Sequence, residues 1–436
     1  RGSRTVRLLG SGQQSTTLDL VVYGSHVAPG PITLTATLSP APDPNCPLSF
    51  TIAGFPDFYP DHIAWTYQTL TNPSRYVQTA TFEAPPGHYT SEVSFGHCMG
   101  LTASSDSAAF DVTGDSTPPT GTVVINDGSA TTNDINVTVH LSASDASGIT
   151  KVAIASTTQP GTETWILFDP LTTIQMPLAK NQADGLYNVM VRWRDGAANW
   201  SDPVVATVTL DQTPPTVEAP AQLFVAGSSI SSGQITVNVP VDATDNLTGV
   251  ASLGLNQKTN SGAWKNVPVA APESLTETTV DRFLTPGNLY NFRARATDVA
   301  TNTSAWAVGQ AVNLKKEQES SARIHFAGGW KKVSSSTYWG GAAKKSSTAG
   351  ATASISFTGT SIAWVGRTGP DRGKVQILID GKALPGSIDL YSATAQTKRV
   401  VWAYSWATKG THTVTIKVLG TSGRPTVDLD AFVTAE

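Results

Sequence analysis

"LTPGNLYNFRARATD", residues 284–298, decides the fold. A Pro-Gly pair supplies a turn, and the run that follows alternates: Tyr290, Phe292, Ala294 and Ala296 on one side, Asn291, Arg293, Arg295 and Thr297 on the other. A period of two means a strand with one buried face. "PPGHYTSEVSF" at 85–95 and "DGLYNVMVRWRD" at 184–195 share the plan of turn glycine, tyrosine and alternating run. Between the three lie "DSTPPT" at 115–120 and "DQTPPT" at 211–216. Their paired prolines fix φ and remove backbone donors, so each reads as a stiff boundary between repeats of about a hundred residues.

The remaining sequence agrees with an all-β chain. Charged residues make up only 14% of the 436, and Thr, Ser, Val, Ala and Gly dominate, a composition that favours strands and turns. "ITLTATL" at 32–38, "INVTVHLSA" and "ITVNVPVDA" supply the opposing strands. Residues 18–314 resemble three tandem bacterial immunoglobulin-like modules, the third being similar to fibronectin type III. That resemblance implies sandwiches of two sheets, with Tyr89, Tyr187 and Tyr290 forming tyrosine corners whose hydroxyls bond back to the chain. The expected modules are 1–114, 115–212, 213–314 and a fourth at 315–436.

One constellation recurs. "SDASG" and "RDGAANWS" place Asp145, Asp195 and Asn199 in the second repeat, and "TDNLTG" and "TDVATNTS" place Asp245, Asp298 and Asn302 in the third. In the implied topology these loops share a pole with the incoming linker, which adds Asp115 to the first set and Asp211 to the second. Carboxylates with amide and carbonyl oxygens suit Ca²⁺, so structural calcium is an expectation. The same residues also build Asx turns, which need no metal. The first repeat carries Cys46 and Cys98 at the corresponding loops, so a disulfide stapling the same pole, and with it an oxidising compartment, is an expectation; two buried free thiols are the alternative.

Residues 315–436 differ in character, with 16 Lys and Arg against 8 Asp and Glu; the first 314 hold 13 against 25. Five of the eleven tryptophans lie there. "SIAWVGRTGPDRGKVQILIDG" at 361–381 has the glycines and basic residues of a phosphate loop, but Thr368 stands where the first Walker glycine belongs and Val375 follows Lys374. With "FTGTSIAWVG" and "IDLYS" the stretch resembles instead the galactose-binding-like jelly rolls of secreted bacterial hydrolases and surface proteins. The resemblance implies a glycine-rich loop joining two strands, an Asp-Gly hairpin at 379–382, and carbohydrate binding. Candidate stacking platforms are Trp330, Trp339, Tyr391, Trp402 and Trp406, with Arg367, Asp371 and Arg372 as polar partners. Trp364 and Trp402 sit in regular strands and suit a core equally; Trp339, in "STYWGG", reads as a loop residue and the better ligand candidate.

No nucleophile elbow, zincin, kinase or cofactor motif occurs, and no apolar run is long enough to span a membrane. The expectation is a non-catalytic, secreted or cell-surface protein whose partner is a polysaccharide or cell-wall glycan, with no nucleic acid and no membrane insertion. Two other readings stay open: an accessory region of a secreted protease or glycoside hydrolase, and a self-associating filament subunit whose strip "RGSRTVRLLGSG" adds as a strand to a neighbour.

Overall fold

The computed structural model describes the backbone of residues 3–8, 16–24, 27–28, 31–39, 48–53, 64–71, 74–83, 85–95, 104–159, 161–178, 183–269 and 276–436. Cys46 and Cys98 lie outside these residues. The chain is all-β, and among the described residues the helical element is one 3-10 turn, Asn126–Gly128. It divides into two compact units, essentially residues 1–210 and 211–436.

The first unit holds two sandwiches. In the first, Ser3–Leu8, Thr16–Gly24, Pro31–Ser39, Ser74–Glu83 and Ala64–Thr71 form a five-stranded sheet. Val27–Ala28, Ser104–Gly114, Gly87–Phe95 and Leu48–Ala53 form the other sheet. Residues 3–8 therefore pair with 16–21 of the same chain. Among the described residues Ser3–Leu8 is thus the edge strand of its own sheet, paired on one side only. In the second sandwich, Thr120–Ile125, Asn136–Ser144 and Thr173–Pro177 form one sheet. The other contains Val204–Leu210, Gly185–Asp195, Ile149–Thr157 and Ile166–Phe168. The alternation of 185–195 buries Tyr187, Val189, Val191 and Trp193. Gly121 sits under the Trp193 ring, where a Cβ would come within 2.8 Å of the indole.

All three tyrosine corners form. The hydroxyl of Tyr89 donates to Pro85 O at 2.6 Å, that of Tyr187 to Ala183 O at 2.7 Å, and that of Tyr290 to Thr285 O at 3.1 Å.

In the second unit the third sandwich and the terminal jelly roll are continuous. The strand Val312–Gln318 pairs through Val312 and Asn313 with Leu289–Asp298, and through Leu314 to Gln318 with the last strand, Ala431–Ala435. That last strand pairs in turn with Thr352–Thr368, which pairs with Gln396–Val418. One apolar cluster spans both, with Phe292 and Val312 beside Trp339, Ala431 and Val433. The expected boundary at 314/315 falls within the strand Val312–Gln318, whose two ends pair with the two modules. The Asp-Gly hairpin is as expected: Asp380 and Gly381 have φ of 51° and 80°, and Ile379 faces Lys382.

Candidate functional site

At the pole of the second sandwich, Asp115, Asp145 and Asp195 each bring a carboxylate oxygen within 4.8 Å of the others; at the third, Asp211, Asp245 and Asp298 do the same. The scaffolds are near copies. Asp195 accepts the Asn199 backbone N–H at 2.7 Å and its side-chain amide at 2.8 Å, and that amide also donates to Asp115 O at 3.0 Å. Asp298 and Asn302 repeat this at 2.7 and 2.8 Å, with Asp211 O at 2.7 Å. The Asx turns are present too, Asp115 accepting from Thr117, Asp145 from Ser147, Asp211 from Thr213 and Asp245 from Leu247. These turns do not use every oxygen. Asp115 Oδ2 and Asp245 Oδ1 are buried without a hydrogen-bond partner. Among the described residues the donors to the six carboxylates are neutral amides and hydroxyls, and no cationic side chain bonds to the negative charge gathered at each pole.

The predicted sugar-binding set is split. Arg372 is buried: its Nε donates to Asp428 Oδ2, its Nη2 to Asp428 Oδ1 at 3.3 Å, and Asp371 pairs with Nη1. Asp428 also accepts the Tyr338 hydroxyl at 2.8 Å. Arg372 thus anchors the glycine-rich loop from inside and is not a ligand-facing cation, because a guanidinium removed from water needs this pairing. Trp339 is corrected likewise. It is 8% exposed in the core shared with the third sandwich, its backbone N–H donates to Asp430 Oδ2 at 2.8 Å, and the Lys316 ammonium lies 4.7 Å from its ring. Its local sequence is loop-like, but the neighbouring sandwich covers it. Trp364 and Trp402 are core. Trp330 is half-buried, edge-on to Phe326 at 5.4 Å. Arg367 is half-buried, whereas Asp371 is exposed beside the loop that carries Tyr391. Tyr391 is 55% exposed, with the Arg424 guanidinium 5.3 Å from its ring.

Trp406 stands apart. Along Gln396–Val418, Gln396 pairs with Thr368 near the glycine-rich loop, and Ser405 pairs with Ser361. At the usual rise per residue those ends are roughly 30 Å apart. Trp406 stacks on His412 at 4.0 Å and 6°, and meets Tyr404 edge-on at 4.8 Å. It lines a cleft of about 200 Å³ whose opposite wall is Ala219 to Leu223 of the third sandwich. Gln222 and Gln310, the polar groups of that wall, were beyond sequence reasoning, since nothing local joins them to Trp406.

Buried carboxylates also mark the shared core. Asp430 is fully buried, and burial together with the Glu319 charge pushes its carboxyl up to about 7, against the Trp339 N–H and the charges of Lys398 and Lys316.

No family model matches the chain. A 111-residue part, 26% of the chain, is 28% identical to the A type blood N-acetyl-alpha-D-galactosamine deacetylase of Flavonifractor plautii, spanning 14% of that protein's length. Among solved structures, chicken CNTN1 FN1-FN3 aligns with 70% of this chain and 96% of its own at 11% identity and TM-score 0.28. A 1.5-MDa bacterial ice-binding adhesin aligns with 66% and 96% at 16% and 0.29. A tetra-tandem repeat from the extending region of a large adhesion protein aligns with 93% and 95% at 14% and 0.22. TM-scores this low transfer nothing of those proteins' roles. Among the described residues no helix is long and apolar enough to cross a membrane.

Proposed function

We propose that this is a non-catalytic, extracellular or cell-surface adhesive protein in which immunoglobulin-like modules carry a glycan-binding jelly roll. One observation carries the reading: the basic terminal module keeps aromatic side chains at its surface, with Tyr391 and Tyr404 exposed and Trp406 half-exposed. Stacking on pyranose faces uses such rings. The two acidic poles are proposed to bind Ca²⁺, which the orphaned oxygens of Asp115 and Asp245 support. The test is binding of the full chain to a glycan array and to insoluble cell-wall polysaccharide. Saturable retention on at least one glycan is expected; no retention on any of them defeats the reading.

A second reading has its own support. The partial match to a deacetylase named for N-acetyl-α-D-galactosamine favours these modules being the accessory part of a carbohydrate-active enzyme. Isolating the native protein from its source and measuring its mass and deacetylase activity separates the two.

A further inference from the structure

We propose that the cleft between the third sandwich and the jelly roll binds one neutral sugar ring, the terminal or branch residue of a glycan; this rests on the glycan-binding reading and gives it a place. Four observations lead to it. The cleft has an aromatic wall, Trp406, whose indole is braced by His412 and Tyr404, so it does not have to be ordered on binding. Its polar lining is uncharged, consisting of Gln222, Gln310, Thr360 and Ser405. Side-chain amides and hydroxyls of this kind pair with sugar hydroxyls, and a uronic or sulfated sugar would find no cation here. Gln222 is 6% exposed, and its Nε2 has no hydrogen-bond partner among the described residues. A buried donor left unpaired costs roughly 1–3 kcal/mol, so a ligand hydroxyl accepting from it binds with that deficit removed.

The fourth observation is size and rigidity. About 200 Å³ falls below the roughly 300–1,000 Å³ of sites for drug-sized ligands, which fits one ring and not an extended chain. Both walls are fixed. Gly227 N donates to Val400 O at 2.7 Å, Ile230 N to Lys398 O at 2.8 Å and Val400 N to Ser228 O at 2.9 Å, tying the two modules together farther along the strand that carries Trp406. Gly309 lets the chain pass so close to Pro220 that a Cβ would lie 2.1 Å from Pro220 O.

The experiment uses the full chain and an array of neutral oligosaccharides ending in galactose, glucose, mannose or an N-acetylhexosamine. Trp406→Ala is expected to weaken the best-bound glycan roughly tenfold or more. Gln222→Leu, close in size and lacking the donor, and Leu223→Arg, which fills the rim from an exposed position, are expected to weaken it as well, with thermal unfolding recorded to show that each variant is folded. Raising salt from about 50 to 500 mM is expected to change affinity less than about twofold, because screening acts on charges and the lining has none. If folded Gln222→Leu and Leu223→Arg bind as the parent does while Tyr391→Ala loses binding, the cleft assignment is overturned and the glycan reading stands. If the parent binds no glycan, both fall.

Discussion

Asp430 shows what a single residue can conceal. In sequence it is one more acid in "VDLDAF"; in the fold it lies under Trp339 with Oδ1 unpartnered and Glu319 nearby. Its folded-state carboxyl titrates near 7, above the ordinary value of 3.8. The folded chain therefore holds that proton more tightly than the unfolded chain does. Stability from this group is fully present below about pH 4 and is lost as pH rises to about 7, by an amount on the order of 4 kcal/mol. Asp430→Asn keeps an oxygen for the Trp339 N–H and has no charge to bury. The variant should match the parent near pH 4 and melt higher at pH 8. Equal melting curves for the two at pH 8 would show that the carboxylate is not held in this environment. Trp339 was misjudged for the same reason: its burial comes from strands of another module, which no local pattern reports.

Among the elements, those with a strict period were legible, and contacts between distant loops were legible only where the chain repeats. The tyrosine runs gave the strands and their buried faces, and the duplicated Asp-Asn loops gave the two poles down to the residues that meet. The cation–π contacts were not foreseen. Arg192 lies within 5 Å of the Trp165 and Trp200 rings, and Arg293 of the Trp264 and Trp306 rings, with the tryptophans drawn from segments between strands. The poles yield a test of the calcium reading. Adding about millimolar Ca²⁺ to chelated protein should raise its melting temperature, since a ligand that binds only the folded state stabilises it by mass action. Asp298→Asn should reduce that shift, and Mg²⁺ should substitute poorly because it demands tighter, octahedral geometry. Identical melting in calcium and in chelator would leave the Asx turns as the whole content of these loops.

At the scale of the whole molecule, the second unit is more integrated than its repeats suggest. The proline-marked boundaries were visible because proline acts locally, by fixing φ and withholding a donor. The junction near residue 315 carries no such signal: "NLKKEQE" looks like a charged linker but forms a strand that pairs with module three at one end and the C-terminal strand at the other. Dividing the chain there leaves Lys315 to Gln318 paired with Ala431 to Thr434, but it removes the Leu314–Ala435 pair and the strand's junction with Leu289–Asp298, and uncovers Trp339, Val365, Val400 and Val433. Newly exposed apolar surface costs about 25 cal/mol per Å², so uncovering several core side chains removes a large part of a domain's typical margin of 5–15 kcal/mol. Residues 211–436 should therefore unfold in one calorimetric transition. Residues 315–436 alone should melt well below it or bind a hydrophobic dye in the cold. A 315–436 fragment that melts sharply at the temperature of the longer piece would show that the shared strand and core add nothing to its stability, and that the modules are separate after all.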